Sequence, residues 1–334
     1  MLRRTLMAAA AATLPIASFA QGAPRDIRLV CAFPPGGSGD IFFRLMADRL
    51  PAIAGRPVLV ENRVGAVGMV AAEAVSRMPP DGNVVVNTVM GLHAVLPQLP
   101  GQSMPLNPDA DLTLISNGCG IYNILVSRPN APFRTVAELI AAAKAAPGKL
   151  TYASGGTGSS QHLAGEMFKA MAGVDLLHVP YRGGAQAVVD LSADRVDVMF
   201  GNLPEFLGQI RGGGLRAIAY GGAGVSPLLP EPPLISRDVP GFEVTNWFGI
   251  CGPKGMSAET VAAWTGLLGR LGADADFRRR VAENGMEILF GTPAQFRSTI
   301  DADKARWGRR CRTSSSPRSR ARRARSAAVQ AAAG

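Results

Sequence analysis

Residues Ile27-Arg28-Leu29-Val30-Cys31-Ala32-Phe33 run directly into Pro34-Pro35-Gly36-Gly37-Ser38-Gly39-Asp40, and the order of these two stretches decides the fold. The first is a short apolar run closed by turn residues, as a buried strand is. From residue 40 to 50 the spacing becomes helical. Ile41 and Leu45, like Phe42 and Met46, fall four apart on one face, and Arg44 and Asp48 are placed to pair. The same order of strand, Gly-rich turn and helix returns at Ser154-Gly155-Gly156-Thr157-Gly158-Ser159-Ser160, after a strand at 150–153 and before a helix at 159–172.

Working outward, further strands are predicted at 58–61 and 83–89, with a helix at 67–78 between them. Thr135 and Glu138 form a capping box for a helix over 136–146, which Pro147-Gly148 ends. Strands at 176–179, 196–200 and 215–219 alternate with helices at 184–193 and 204–211. A Pro-rich connection at 227–240 leads to a strand-like run at 243–250, then helices at 257–270 and 274–283. The last helix opens at Thr292, with Pro293 first inside it and Gln295 as capping partner, and runs to about Trp307. This alternation predicts an α/β fold with mainly parallel sheets. A foldable length of roughly 290 residues predicts two lobes rather than one core. No internal repeat is visible.

The ends set compartment and charge. A basic start with Arg3 and Arg4, an apolar run over 5–17 and Ser18-Phe19-Ala20 before Gln21 have the anatomy of a secretory signal peptide over 1–20. The apolar run is too short to span a bilayer. Periplasmic export is expected. The formal charge of +10 has a simple origin: eight arginines from Arg309 onward and the two near the start. Residues 21–308 carry 25 basic and 25 acidic residues, so the folded part is neutral and offers no basic stripe for nucleic acid. The stretch 309–334, made of Arg, Ser and Ala, is expected to be disordered. Cys31, Cys119, Cys251 and Cys311 lack metal or redox spacing, and the first three are expected as small buried side chains in strands.

Two Gly-rich turns that each open a helix are candidate anion sites, because backbone N–H groups and the helix dipole face the turn. Neither turn completes a P-loop or a GxGxxG fingerprint. Asp40 is read as capping its helix, with contact to a ligand amine or water as the alternative. His162, just after the second turn, is placed near a pocket, and His93 and His178 are read as loop and strand-end residues. Asp190, Asp194 and Asp197 read as a solvated helix face and turn. No HExxH, GxSxG or Cys-His-Asn spacing is present, so no catalytic residue, metal or cofactor is expected.

Eight stretches resemble one family: Phe33-Pro-Pro-Gly-Gly-Ser-Gly-Asp40, Val60-Glu-Asn-Arg63, Pro79-Pro-Asp-Gly82, Pro147-Gly-Lys-Leu-Thr-Tyr-Ala-Ser154, Gly158-Ser-Ser-Gln-His-Leu-Ala-Gly-Glu166, His178-Val-Pro-Tyr-Arg-Gly183, Asn202-Leu-Pro204 and Pro240-Gly-Phe-Glu-Val-Thr-Asn-Trp-Phe248. In this order they resemble the periplasmic solute receptors of the tripartite tricarboxylate transporter system, the Bug family. The resemblance implies a type II periplasmic-binding-protein fold with a two-strand hinge near 121–127 and 240–250. Lobe 1 would combine 21–125 with 241–308, and lobe 2 would span 126–240. It also implies a ligand carboxylate held by the two turns, through Phe33, Pro35, Gly36, Gly37, Ser38 and Asp40, and through Ser154, Gly156, Thr157, Gly158, Ser159, Ser160 and His162. Thr88, Tyr181 and Asn202 would add to the pocket. The partners implied are a di- or tricarboxylate, acidic amino acid or aromatic carboxylate and the membrane permease subunits, with the receptor a monomer. The alternatives are a hydrolase using Ser159 or Ser160 with His162, and a sensor presenting its ligand to a signalling partner. Three stretches depart from the pattern: 64–68, expected as a local packing change; Pro51, expected to shorten or kink the first helix; and the arginine tail, which reads as an altered terminus.

Overall fold

β1 (Ile27–Cys31) passes through the first Gly-rich turn into α1 (Ser38–Ala54), followed by β2 (Val58–Asn62), α2 (Met69–Ser76) and β3 (Val84–Val89). α3 (Pro108–Asp111) leads to β4 (Leu112–Ile121) and β5 (Asn123–Ser127). Then come α4 (Val136–Ala145), β6 (Thr151–Ser154), α5 (Ser160–Ala172), β7 (Leu177–Pro180), α6 (Gly184–Ser192), β8 (Val198–Asn202), α7 (Leu203–Arg211) and β9 (Arg216–Tyr220). β10 (Asn246–Pro253), α8 (Ala258–Ala273), α9 (Ala275–Glu283), β11 (Met286–Ile288) and α10 (Pro293–Ser314) follow. The structure, a computed structural model, describes residues 26–98 and 104–314. The predicted signal peptide and the tail from 315 onward lie outside the described residues.

The strands form two sheets, in the orders β11-β4-β10-β3-β1-β2 and β7-β6-β8-β5-β9. The strand–helix–strand units pair in parallel, β1 with β2 and β3, and β6 with β7 and β8. The expectation of mainly parallel sheets fails at the crossing strands. The chain changes sheet between β4 and β5, at Tyr122, and again over residues 221–245. β5 and β10 enter from the other sheet and run antiparallel to their neighbours. β3 and β10 are buried along their whole length, so no alternation of polar residues marks them.

Several local expectations change. α1 continues past Pro51 to Ala54 and closes where Gly55, at φ 65°, donates to Pro51 O at 3.0 Å. The missing proline N–H falls in the last turn, where it costs a single bond. Arg44 pairs with Asp40 at 2.8 Å rather than with Asp48, which binds Arg280 of α9 at 2.8 Å. The predicted helix at 67–78 is a 3-10 turn, Ala66–Gly68, followed by α2, because Ala66 and Val67 are left-handed at φ 46° and 56°. Thr135 caps α4 through the Glu138 N–H at 3.1 Å, whereas the Glu138 carboxylate reaches back to the Arg134 N–H at 2.6 Å, one residue beyond the box. Asp197 is no solvated charge, since it takes Arg128 at 2.9 Å and the Thr151 N–H at 2.8 Å. α10 runs beyond Trp307 to Ser314, so the stretch expected to be disordered from 309 begins as helix. An anchored helix adds residues more easily than it nucleates, and Arg is a good helix former. Cys31, Cys119 and Cys251 are free thiols buried in β1, β4 and β10.

α10 is tied to β10 by the Trp247 Nε1–H, which donates to Asp303 Oδ2 at 2.7 Å inside the protein, and by Trp247 packing edge-on to Phe296 at 5.4 Å. Asp303→Ala leaves that indole N–H unpaired at a cost of about 1–3 kcal/mol. Thermal unfolding should shift down by several degrees, and Asp303→Asn, which keeps an acceptor, should lose less than half as much.

Candidate functional site

β1 and β6 both end in their Gly-rich turns, at the carboxyl ends of parallel strands where α/β sheets hold ligands. The turns face one cavity of about 520 Å³ between the sheets. Of the residues singled out in the sequence, Phe33, Gly156, Thr157, Ser159, Ser160, Tyr181 and Asn202 line it. Pro35 and Gly36 are exposed on the far side of their turn, while Gly37, Ser38 and Asp40 are buried beneath it. Thr88, Ser154, Gly158 and His162 are also outside the lining.

Three donors of the first turn are already taken, two within the turn and its helix and one by Glu205. The Gly37 N–H donates to Pro34 O at 3.0 Å, the Gly36 N–H to Asp40 Oδ2 at 3.0 Å and the Ser38 N–H to Glu205 Oε1 at 3.3 Å. Asp40 does not cap α1, whose N-cap is Gly37. It sits inside the first turn of the helix and accepts from Gly36, from Asn62 Nδ2 at 2.7 Å and from Arg44 Nε at 2.8 Å. Burial pushes its carboxyl up, but these donors outweigh burial and hold it below the ordinary value. Asp40 is therefore the anion that braces the turn from within.

The second turn keeps a helix start free. Ser159 caps α5 by accepting the His162 N–H at 3.2 Å and donates its own hydroxyl to Gly156 O at 2.7 Å. Gly155 donates to Gln161 Oε1, and Gly158 to His162 Nδ1 at 3.3 Å. Ser160 and Gln161 are the first two residues of α5, so their N–H groups have no partner within the helix, and both residues line the cavity. Gly156 has φ 122°, a conformation other residues rarely adopt.

Ser159 and His162 do not face each other as nucleophile and base. The Ser159 hydroxyl is committed to Gly156, and the His162 ring faces a backbone N–H. His178 Nε2 instead meets Ser154 Oγ at 2.7 Å, away from the lining, and stacks on Tyr152 at 4.7 Å and against His162 at 4.5 Å. Burial lowers His178 to about 4, and it lowers His162 and the fully buried His93 as well.

Sequence reading missed several residues that line the cavity: Gln161, Arg182, Gly183, Gly184, Glu205, Asn246, Phe248 and the turn at 64–68. That turn, expected only as a local packing change, is part of the wall. Arg182 and Glu205 are the single cation and single anion among the described lining residues. A polar relay closes the floor. The Trp247 N–H donates to Asn246 Oδ1 at 3.0 Å, Asn246 Nδ2 to Asn202 Oδ1 at 2.9 Å, Asn202 Nδ2 to Ser38 Oγ at 2.8 Å, and Ser38 Oγ to Glu205 Oε1 at 2.9 Å. Glycines let the two sides meet around it. A Cβ at Gly91 would lie 3.0 Å from Gly158 O, and one at Gly183 would lie 2.6 Å from Pro34 Cγ. The Asn202-Leu-Pro204 and Tyr181-Arg182-Gly183 stretches were the available signals for the neighbouring Glu205 and Arg182.

Comparison with known proteins identifies the family. The family described as the tripartite tricarboxylate transporter family receptor matches residues 42–314. Protein BugT of Bordetella pertussis is 32% identical over 290 residues, covering 85% of this chain and 87% of that protein. The structure of the R. palustris protein Rpa4515 with adipate superposes with a TM-score of 0.82 at 32% identity, covering 85% of this chain and 95% of the other. The periplasmic binding protein BugD superposes with a TM-score of 0.82 at 28% identity, covering 87% and 98%.

Two outcomes follow from the geometry. Gly91→Val pushes the second turn away from the first lobe. Overpacking of about 1–3 kcal/mol should weaken any cleft ligand by roughly fivefold to a hundredfold in calorimetry, and X-ray scattering of the liganded variant should give a larger radius of gyration. The second outcome concerns pH. His178 stays neutral in the fold down to about 4, whereas an unfolded histidine takes up its proton near pH 6.5. The unfolded state binds more protons between those values, so stability is full above pH ~6.5 and falls as pH drops toward the folded value. Unfolding midpoints measured across that window should decline, and His178→Asn should flatten the decline.

Proposed function

Because the chain belongs to the tripartite tricarboxylate transporter receptor family, we propose that it is a non-catalytic periplasmic receptor that closes two lobes on a small carboxylate and delivers it to the membrane permease. The family of periplasmic receptors sets the compartment, and we infer that residues 1–20 direct export. The observation that carries the binding reading is the start of α5. Ser160 and Gln161 present helix-start N–H groups to a cavity between two sheets, with Arg182 the single cation on its described wall. Thr157, Ser159, Tyr181 and Asn202 line the same space and complete the proposed ligand site with Phe33 and Gly156.

The two sheets support the division into two lobes. The hinge falls where the chain changes sheet, at Tyr122 and between Tyr220 and Asn246, so the first lobe ends before the expected residue 125, because β5 from Asn123 pairs in the second sheet. Closure around a ligand is a two-state motion of such lobes. A relative of 32% identity was solved with adipate, which supports a carboxylate as the class of solute. The hydrolase alternative finds no nucleophile–base pair at Ser159 and His162, and the His162 Nδ1 contact described is to the Gly158 N–H rather than to Ser160.

Native mass spectrometry of the purified protein should show a bound organic acid that leaves unchanged on denaturation. Calorimetry with that acid should give one site per chain. Gly156→Val should abolish most of the heat, while Gly37→Val, beneath the first turn and off the lining, should lower affinity far less. Release of a product with a different mass from the captured acid would show that the cleft performs chemistry.

A further inference from the structure

The cleft holds a carboxylate of its own where a ligand carboxylate would find donors. Glu205 is the third residue of α7, and its Oε1 takes the Ser38 N–H at 3.3 Å, the Ser38 hydroxyl at 2.9 Å and Asn202 Nδ2 at 3.4 Å. Its Oε2 takes Gln161 Nε2 at 3.1 Å. Both amides are oriented by other bonds. The Gly155 N–H occupies Gln161 Oε1, which turns Nε2 toward Glu205. Asn202 Oδ1 receives Asn246 Nδ2, and Asn246 is itself fixed by the Trp247 N–H. Every described partner of Glu205 donates to it, and these bonds favour the ionised form against burial, which pushes its carboxyl above the ordinary value. Gly184 makes room for it, since a Cβ there would run into the carboxylate. The first N–H of α1, that of Ser38, is therefore taken from the opposite side of the cleft, whereas the first two of α5 have no partner in their helix.

We propose that Glu205 is a fixed specificity residue that makes this receptor select monocarboxylates with a hydrogen-bond donor at their far end, such as a hydroxyl or ammonium, over dicarboxylates. The inference rests on the carboxylate-receptor reading of the cleft. The ligand carboxylate takes the α5 start and Arg182. A second carboxylate at the other end would meet Glu205 as a like charge in a site short of water, or would have to displace it from four donors. A donor group instead finds Oε2, which holds one bond and has a lone pair to spare.

The test is calorimetry at neutral pH with matched pairs: succinate against 4-hydroxybutyrate and 4-aminobutyrate, and adipate against 6-hydroxyhexanoate and 6-aminohexanoate. The wild-type protein should bind the donor-ended acid about tenfold or more tightly than its dicarboxylate, a margin of about 1.4 kcal/mol. In Glu205→Gln and Glu205→Ala the margin should shrink at least as much or reverse, chiefly through tighter dicarboxylate binding. A wild type that prefers the dicarboxylate overturns the proposal, and this ranking decides even if a variant fails to fold. A margin unchanged in both folded variants also overturns it. Heat from no acid in any of the three proteins would overturn the carboxylate reading together with the proposal.

Discussion

The hydrogen-bond relay from the Trp247 N–H through Asn246 and Asn202 to Ser38 and Glu205 joins elements from both sheets at the floor of the cleft. Each side-chain amide in it receives at one end and donates at the other, so the direction of the whole run is set by one backbone N–H on β10. Asn202, Asn246 and Ser38 are buried, where an unpaired amide or hydroxyl costs about 1–3 kcal/mol. Removing any one member strands its neighbours. The relay therefore couples the ends of β8 and β10 to the starts of α1 and α7, and the shape of the cleft depends on it.

Around that floor the two sides approach closely because side chains are missing where they would collide. Gly91 faces Gly158, and Gly183 faces Pro34. Val67 lies beside Gly91 and near Gly158, so one side chain touches both walls. It reaches that place through two non-glycine left-handed residues, Ala66 and Val67. Such conformations cost of order 1–3 kcal/mol each and persist where the surroundings over-determine them. Here the surroundings are the cavity wall itself, so the strain is placed where the lobes meet.

What was legible in the sequence was what is local. The two turns, the Ser159 region, the Thr135 cap and the strand of Cys31 follow from neighbours a few residues apart. β4 was hidden because Ser116, Asn117, Gly118 and Gly120 break the strand pattern in a run whose pairing with β10 has two register shifts. The donors of the first turn looked available because nothing within the turn shows that Asp40 and Glu205 take them, and Glu205 lies 167 positions away from Ser38. Arg182 and Gln161 stood inside recognised stretches, but their side-chain direction is a tertiary fact. The α/β class was thus readable from periodicity and the anion logic from turns, whereas the crossing strands came only with the family resemblance. The sign of the charge at each end of the cleft was not.

Net charge is a poor guide to such a cleft, since residues 21–308 balance at zero while its ends differ. A helix start left open in a dry cleft must be satisfied by ligand or water, and then the closed form is favoured only when the ligand is present. A helix start satisfied by Glu205 removes that requirement from one side. The closed arrangement then leaves fewer donors for a ligand to meet, so less of the binding free energy goes to closing the lobes and apparent affinity lies nearer its intrinsic value. The same carboxylate that favours closure narrows what can enter, because like charges at short range in a low-dielectric site are costly. Preorganisation and selectivity in this receptor come from one side chain.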